Sequence, residues 1–213
     1  MIRRSLLCTA AVGLLVLLVA FSGCSSQTNN AGGQTTTTQG TPSASLAATT
    51  LSAPTTSATP TPVAVEYKTY LDSATGVTLQ YPANWTTTTS GSATILKSPA
   101  TGSTDTYQES LSILVEQTTT SAQGYSDAKI EAARQSITNY NPMQDSQINL
   151  KIGNENARKV VYTGLQGTTM VRYTQLFVIK GTNAYVFTFT SEEKNDRFWV
   201  TTREKIFDSI DLP

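Results

Sequence analysis

Histidine is absent from this 213-residue chain, and cysteine occurs only at Cys8 and Cys24. Without histidine the chain lacks the commonest general base and the commonest zinc ligand, and serine–histidine nucleophilic catalysis is ruled out. Cys8 sits in a segment that reads as a signal peptide, so Cys24 stands alone in the mature chain and no internal disulfide can form. An exported domain without bridges must be held by its core alone. Charge is also sparse, at 14% of residues, and residues 25–62 carry none. With Arg3 and Arg4 set aside, 13 basic residues face 15 acidic ones, two negative charges in excess, and no basic run exists. That balance argues against nucleic acid as a partner. Long apolar runs are missing except at residues 6–21, and 16 residues are short of the roughly 20 that a membrane span needs.

What is present at the N-terminus is an export signal. Arg3 and Arg4 precede the apolar run, and Ser22 and Gly23 end it, so residues 1–23 read as a secretory signal peptide. Phe21, Ser22, Gly23 and Cys24 resemble the lipobox of prokaryotic lipoproteins, although leucine is usual where Phe21 stands. The resemblance implies diacylglycerol on Cys24. Each buried methylene contributes about 0.8 kcal/mol, and two acyl chains hold a protein on a membrane where one does not. The alternatives are an uncleaved N-terminal anchor and a released protein; Arg3 and Arg4 also faintly resemble a twin-arginine signal. Each places residues 25–213 outside the cytoplasm, on the cell membrane if Cys24 is lipidated.

Residues 24–62 are expected to be a disordered tether. Of positions 25–62, 18 of 38 are Ser or Thr, too polar to offset the entropy of ordering them. Pro42, Pro54, Pro60 and Pro62 stiffen the segment locally. Its ends would lie about 35 Å apart on average and about 120 Å at full stretch. Ser and Thr beside Pro suit either O-glycosylation or a plain spacer.

Residues 63–213 carry the folding information, in one domain. Apolar residues alternate through Val65 and Tyr67, then through Val77, Leu79 and Tyr81 as far as Pro82. Residues 93–97 predict a short edge strand, and Leu111, Ile113 and Val115 another strand. Ser126 is the expected cap of a helix reaching Tyr140, with Ile130, Ala133 and Ile137 on one stripe and Asn141 and Pro142 as its stop. Two further alternations follow, Ile148, Leu150 and Ile152, then Val160 and Tyr162. The clearest pattern is a hairpin: Val171, Tyr173, Phe177 and Ile179 on one face of its first strand, Gly181 near the turn, and Tyr185, Phe187 and Phe189 on the return. Thr190 and Glu193 have the spacing of a capping box before a last helix whose stripe is Trp199, Thr202, Ile206, Ser209 and Ile210. Strands, helix, strands, helix, with no parallel crossover, predict an α+β antiparallel sheet flanked by helices.

The stretch Gly76, Val77, Thr78, Leu79, Gln80, Tyr81, Pro82, Ala83, Asn84 and Trp85 resembles the entry motif of the PsbP domain, where a glycine and an alternating strand run into Tyr-Pro-x-x-Trp. The aromatic hairpin and the terminal helix resemble that family's C-terminal half, so the likeness spans residues 63–213. It implies an αβα sandwich and, in photosynthetic members, an extrinsic subunit of photosystem II that helps retain calcium and chloride. Here an uncharged tether stands where plant members carry a docking segment.

Candidates for chemistry are few. Asp105 and Glu109 are the closest acidic pair ahead of a strand, and Asp72 sits in a turn; such oxygens can ligate calcium, but no calcium-loop spacing is present. Glu192, Glu193, Lys194 and Asp196 read as solvated charges favouring a helix start. Asn84, Trp85 and Thr86 form a glycosylation sequon inside the structural motif. The expectation is therefore a non-catalytic, lipid-anchored module with no cofactor or metal site, binding a protein or envelope component. The rival expectations are a photosystem II accessory subunit and a hydrolase that works with carboxylates alone. Lipidation at Cys24 is the only residue-level site assigned.

Overall fold

The computed structural model describes residues 65–213, apart from 101, 103, 104, 106 and 144–146. The expected signal peptide, Cys24 and the 25–62 segment lie outside the described residues. In chain order the elements are β1 (Tyr67–Leu71), β2 (Thr78–Pro82), β3 (Thr86–Ser90), β4 (Ala93–Lys97), β5 (Ser110–Gln117) and α1 (Ala122–Ser136). Then come β6 (Asn141–Pro142), β7 (Ile148–Ile152), β8 (Glu155–Gln166), β9 (Thr169–Lys180), β10 (Asn183–Glu192), a 3-10 helix (Glu193–Phe198) and α2 (Val200–Asp208).

The aromatic hairpin predicted from alternation is β9–β10, which lies at the middle of an eight-stranded antiparallel sheet in the order β3-β4-β5-β10-β9-β8, with β6 and β7 both on the outer side of β8. Because side chains alternate across a strand, β10 feeds two cores. Tyr185, Phe187 and Phe189 face a layer made by the β1–β2 ribbon and α2, together with Leu79, Trp85, Leu111 and Ile206. Ala184 and Val186 face α1, with Phe177, Val160, Tyr162, Tyr125 and Ile130. Phe177, Phe187 and Phe189 are fully buried, and each contributes about 1.5 to 3 kcal/mol through that burial. The result is an α+β fold with helices on both faces of the sheet. The ribbon is tied to the end of α2 by a Thr78–Asp211 bridge, with nitrogen–oxygen distances of 3.0 and 2.9 Å, and by Gln80 N donating to Ser209 Oγ at 2.8 Å. Among the described residues no helix is long and apolar enough to cross a membrane.

Four expectations are corrected. First, β3 is a strand although Thr86–Ser90 has no apolar alternation to announce it. It pairs with β4 along its whole length, so β4 is internal and β3 is the edge. Second, α1 begins four residues before the expected Ser126. Ser121 is its cap, accepting from Gly124 N at 3.2 Å, and Ser126 is buried within the helix, where it bonds Gln123 O and Arg158. Third, α1 ends at Ser136 rather than at Tyr140, because Ile137 is already extended (φ −94°, ψ 120°), Asn139 takes a left-handed backbone (φ 56°) and Asn141–Pro142 turn back as β6. Fourth, Thr190 caps nothing: β10 continues through Glu192, and the Thr190 hydroxyl meets Ser110 Oγ at 2.8 Å across the sheet.

The turn after α1 depends on a close approach. Gly164 on β8 is buried, and a Cβ there would lie 2.2 Å from Ile137 Cγ2 and 3.3 Å from Thr138 O. The same Thr138 carbonyl accepts from Leu165 N at 2.8 Å, so the helix end cannot back away without losing that bond. Gly164→Ala is expected to cost about 1 to 3 kcal/mol by overpacking. Chemical denaturation measures it, and an unchanged midpoint would show that the junction yields.

Candidate functional site

Among the clefts on the described surface are two of similar size. One, of about 420 Å³, runs between the ribbon and α2 and is lined by Thr69, Thr78, Leu79, Gln80, Lys205, Asp208 and Ser209. Its polar groups already serve the fold, as the Gln80–Ser209 bond shows. The other, of about 450 Å³, is lined by Val65, Asp105, Glu109, Asn195, Phe198, Trp199 and Thr202. It combines carboxylates with apolar surface left to solvent: Phe198 is 67% exposed and Val65 56%. Val200, beside Phe198, is also exposed. The candidate site is this second cleft.

Its floor is anchored through tryptophan. Trp85 follows the strand-ending Tyr81 and Pro82, its N–H donates to Pro82 O at 3.0 Å, and its side chain is only 3% exposed. The ring lies 6.1 Å from Phe189 and 5.9 Å, edge-on, from Trp199, so the entry motif supports from beneath the residue that lines the cleft. Trp85 is a core residue, with exposed Asn84 and Thr86 on either side of it.

The acidic wall comes from the approach to β5. Glu109 is only 5% exposed. Its carbonyl accepts from Ser98 N at 2.8 Å and its carboxylate from Ser98 Oγ at 3.4 Å. Burial raises the Glu109 pKa above the usual carboxylate value, with the Asp105 charge adding to the effect. Asp105 accepts from Tyr107 N at 3.2 Å, while the Tyr107 hydroxyl, its pKa pushed up by burial, donates to Gln166 at 2.9 Å. Asp72 is not part of this wall. It shapes the β1–β2 turn, its carboxylate accepting from Ala74 N at 2.9 Å. Among the described residues no group of three or more acidic, histidine or cysteine side chains is placed to hold a metal.

The opposite wall overturns the reading of Asp196 as a solvated charge. Asp196 is 4% exposed and accepts from Ser191 Oγ and Arg203 Nη1, both at 2.6 Å, with Arg172 Nη1 at 3.4 Å. Glu193 and Lys194 do face water, and Glu192 accepts from Asn195 at 2.8 Å. Asp196 thus pins the 3-10 helix that presents Asn195 and Phe198 to the cleft. The signal was in the sequence: Arg203 stands four residues after Trp199 and three before Ile206, on the apolar stripe of α2, where a cation needs a buried partner. Nothing comparable announced that Val65, Glu109 and Phe198 meet in one cleft, since they come from distant parts of the chain.

Comparison with known proteins places this architecture. A family model described as PsbP-like protein matches residues 33–211. The fold is similar to cyanobacterial PsbP of Synechocystis (TM-score 0.53, 11% identity, covering 74% of this chain and 99% of that one). It is also similar to LpqN of Mycobacterium tuberculosis (TM-score 0.53, 8% identity, 70% and 92%), a protein involved in cell envelope biogenesis. A third likeness is to PA94 of Pseudomonas aeruginosa, a protein of unknown function (TM-score 0.51, 16% identity, 69% and 96%). Among curated proteins none matches the sequence. The family match begins at residue 33, inside the segment that composition assigns to a tether, and ends at 211, next to the Thr78–Asp211 bridge. With that match running over most of its length and the Gly76-to-Trp85 motif built into the core it predicts, the chain belongs to the PsbP-like protein family.

Proposed function

We propose that this chain is a non-catalytic module, held by a lipid on Cys24 at the outer side of the cell membrane, that binds a protein or envelope component through the Val65–Phe198 cleft. The observation that carries the reading is the exposure of Phe198, 67%, at the lip of a cleft whose other wall is acidic. A phenylalanine held out by a segment that is itself anchored through buried Asp196, with the Arg197 guanidinium 4.6 Å over its ring, adds little to the core and is suited to a partner. The export signal and lipobox-like Phe21–Cys24 stretch support the location, and the Ser- and Thr-rich residues 25–62 suit a tether. The likeness to LpqN supports an envelope role by fold alone. Against a carboxylate hydrolase, Glu109 is buried and engaged by Ser98, leaving the cleft without two open carboxyls facing each other.

Affinity capture from membranes tests the reading, with the parent chain and Phe198→Asp as baits. The change touches an exposed residue, so melting should stay within about 0.5 kcal/mol of the parent while the captured partner is lost. Equal capture by both baits would remove the cleft from the function, and a photosystem subunit among the captured proteins would replace this reading with the accessory-subunit one. Separately, Cys24→Ala should abolish incorporation of labelled fatty acid; labelling that survives the change would refute the anchor.

A further inference from the structure

The two edges of the large sheet are built differently. On the β8 side the outer strands are β6, two residues long and containing Pro142, and β7, which carries Lys151. Proline, charge and very short strands are the usual devices that keep an edge from pairing with another chain. On the other side β3 has none of them. It is continuous, reads Thr-Thr-Thr-Thr-Ser, and its four threonines are exposed. No charged residue occurs from Pro82 through Leu96, so β3 and its turn are neutral and the charge of the hairpin is Lys97, at the far end of β4 opposite Thr86.

The hairpin geometry says which backbone groups face outward. Ser90 pairs with Ala93 across a two-residue turn at Gly91 and Ser92, and Gly91 has the positive φ, 59°, that such turns require. The pair closing a two-residue turn is hydrogen-bonded, and pairs then alternate. Thr88, opposite Ile95, is therefore bonded inward to β4, whereas Thr87 and Thr89 direct their N–H and C=O groups away from the sheet. From these observations we infer that two copies of this chain pair antiparallel through β3, about a two-fold axis at Thr88, joining their sheets into one. In that register Thr87 of each copy meets Thr89 of the other in hydrogen-bonded pairs, and Thr88 meets its own counterpart in the closer, non-bonded position. Like meets like with no charge opposed, which suits a second copy better than an acidic or basic partner strand. Among the described residues the blunted β8 side leaves the large sheet one open edge, so pairing through β3 closes at two copies rather than running on as a fibre.

The test uses the full chain in detergent with Cys8 and Cys24 both replaced by serine. Thr88→Cys places a thiol on the axis, where non-bonded pairs hold Cα atoms about 4.5 Å apart, inside the range a disulfide spans. Oxidation should give a covalent dimer on a non-reducing gel, several-fold more than Thr201→Cys, an exposed control on α2. Adding Thr87→Lys with Thr89→Lys opposes like charges and should suppress the dimer, while Thr87→Lys with Thr89→Glu pairs opposite charges and should restore it. All four positions are exposed, and the 3.3 Å contact of the Thr87 hydroxyl with Tyr81 is lost equally in both double variants, so the difference between them reads the charge alone. Equal cross-linking at Thr88 and Thr201, or none at Thr88, overturns the inference. So does a dimer indifferent to the lysine pair, or one that the Lys–Glu pair fails to rescue.

Discussion

Replacing Asp196 with alanine is expected to remove about 3 to 5 kcal/mol of stability, the range found when one partner of a buried ion pair is deleted. The magnitude follows from what is left behind. Arg203 is 5% exposed and loses the carboxylate 2.6 Å from its Nη1; Ser191, fully buried, loses its acceptor at the same distance. Arg172, 3.4 Å from the other carboxylate oxygen, loses its partner too. Glu204 offers Arg203 only a contact at 3.4 Å from Nε and is shared with Lys159 at 2.8 Å, so it cannot take over. Asp196→Asn keeps an acceptor but not the charge and should fall between alanine and parent. Urea denaturation of the three chains measures the series. An alanine variant within about 1 kcal/mol of the parent would mean that Arg203 reaches water when freed, contrary to its burial over the Phe189 ring.

Trp85→Ala should cost a similar amount, about 3 to 5 kcal/mol, for a different reason. The indole lies against Phe189 and Trp199 and is packed with Leu79 and Ile206 in the ribbon–α2 core, so its removal leaves a cavity that several elements would have to move together to fill. Against the roughly 5 to 15 kcal/mol that keeps a domain folded, that is a large share. The variant should melt far below the parent. Its fluorescence should change before heating, because the chain has only two tryptophans and the survivor, Trp199, loses its neighbour. Parental melting combined with loss of the captured partner would place Trp85 on a binding surface instead.

Much of the fold was legible because its signals are local. Val171 to Ile179 and Tyr185 to Phe189 alternate with period two, and β9 and β10 are strands with a turn at Gly181. The entry motif from Gly76 to Trp85 identified the family for the same reason: strand, proline stop and tryptophan are read in one short window. The errors also have local causes. Thr86 to Ser90 shows no alternation because every residue is alike, and composition gives the same appearance to residues 35–38 in the segment read as a tether. Ser121 and Ser126 are equally good caps by residue type, and only the position of Arg158 on β8, buried against α1, requires Ser126 inside the helix.

By itself the sequence determined the exclusion of histidine chemistry and of any disulfide within residues 25–213, the family, the α+β antiparallel class and most strand positions, since composition and short periods decide these. Tertiary structure alone decided that Asp196 is the carboxylate buried between Arg203 and Arg172, that β3 and not β4 is the edge, and that Val65, Glu109 and Phe198 share one cleft. Each of these depends on which distant strands pair and which faces are covered. Arg203, seven residues on, signals that a carboxylate is buried beside it, but which one is set by the packing that also brings Arg172 of β9 to Asp196, and no window of neighbouring residues contains that information.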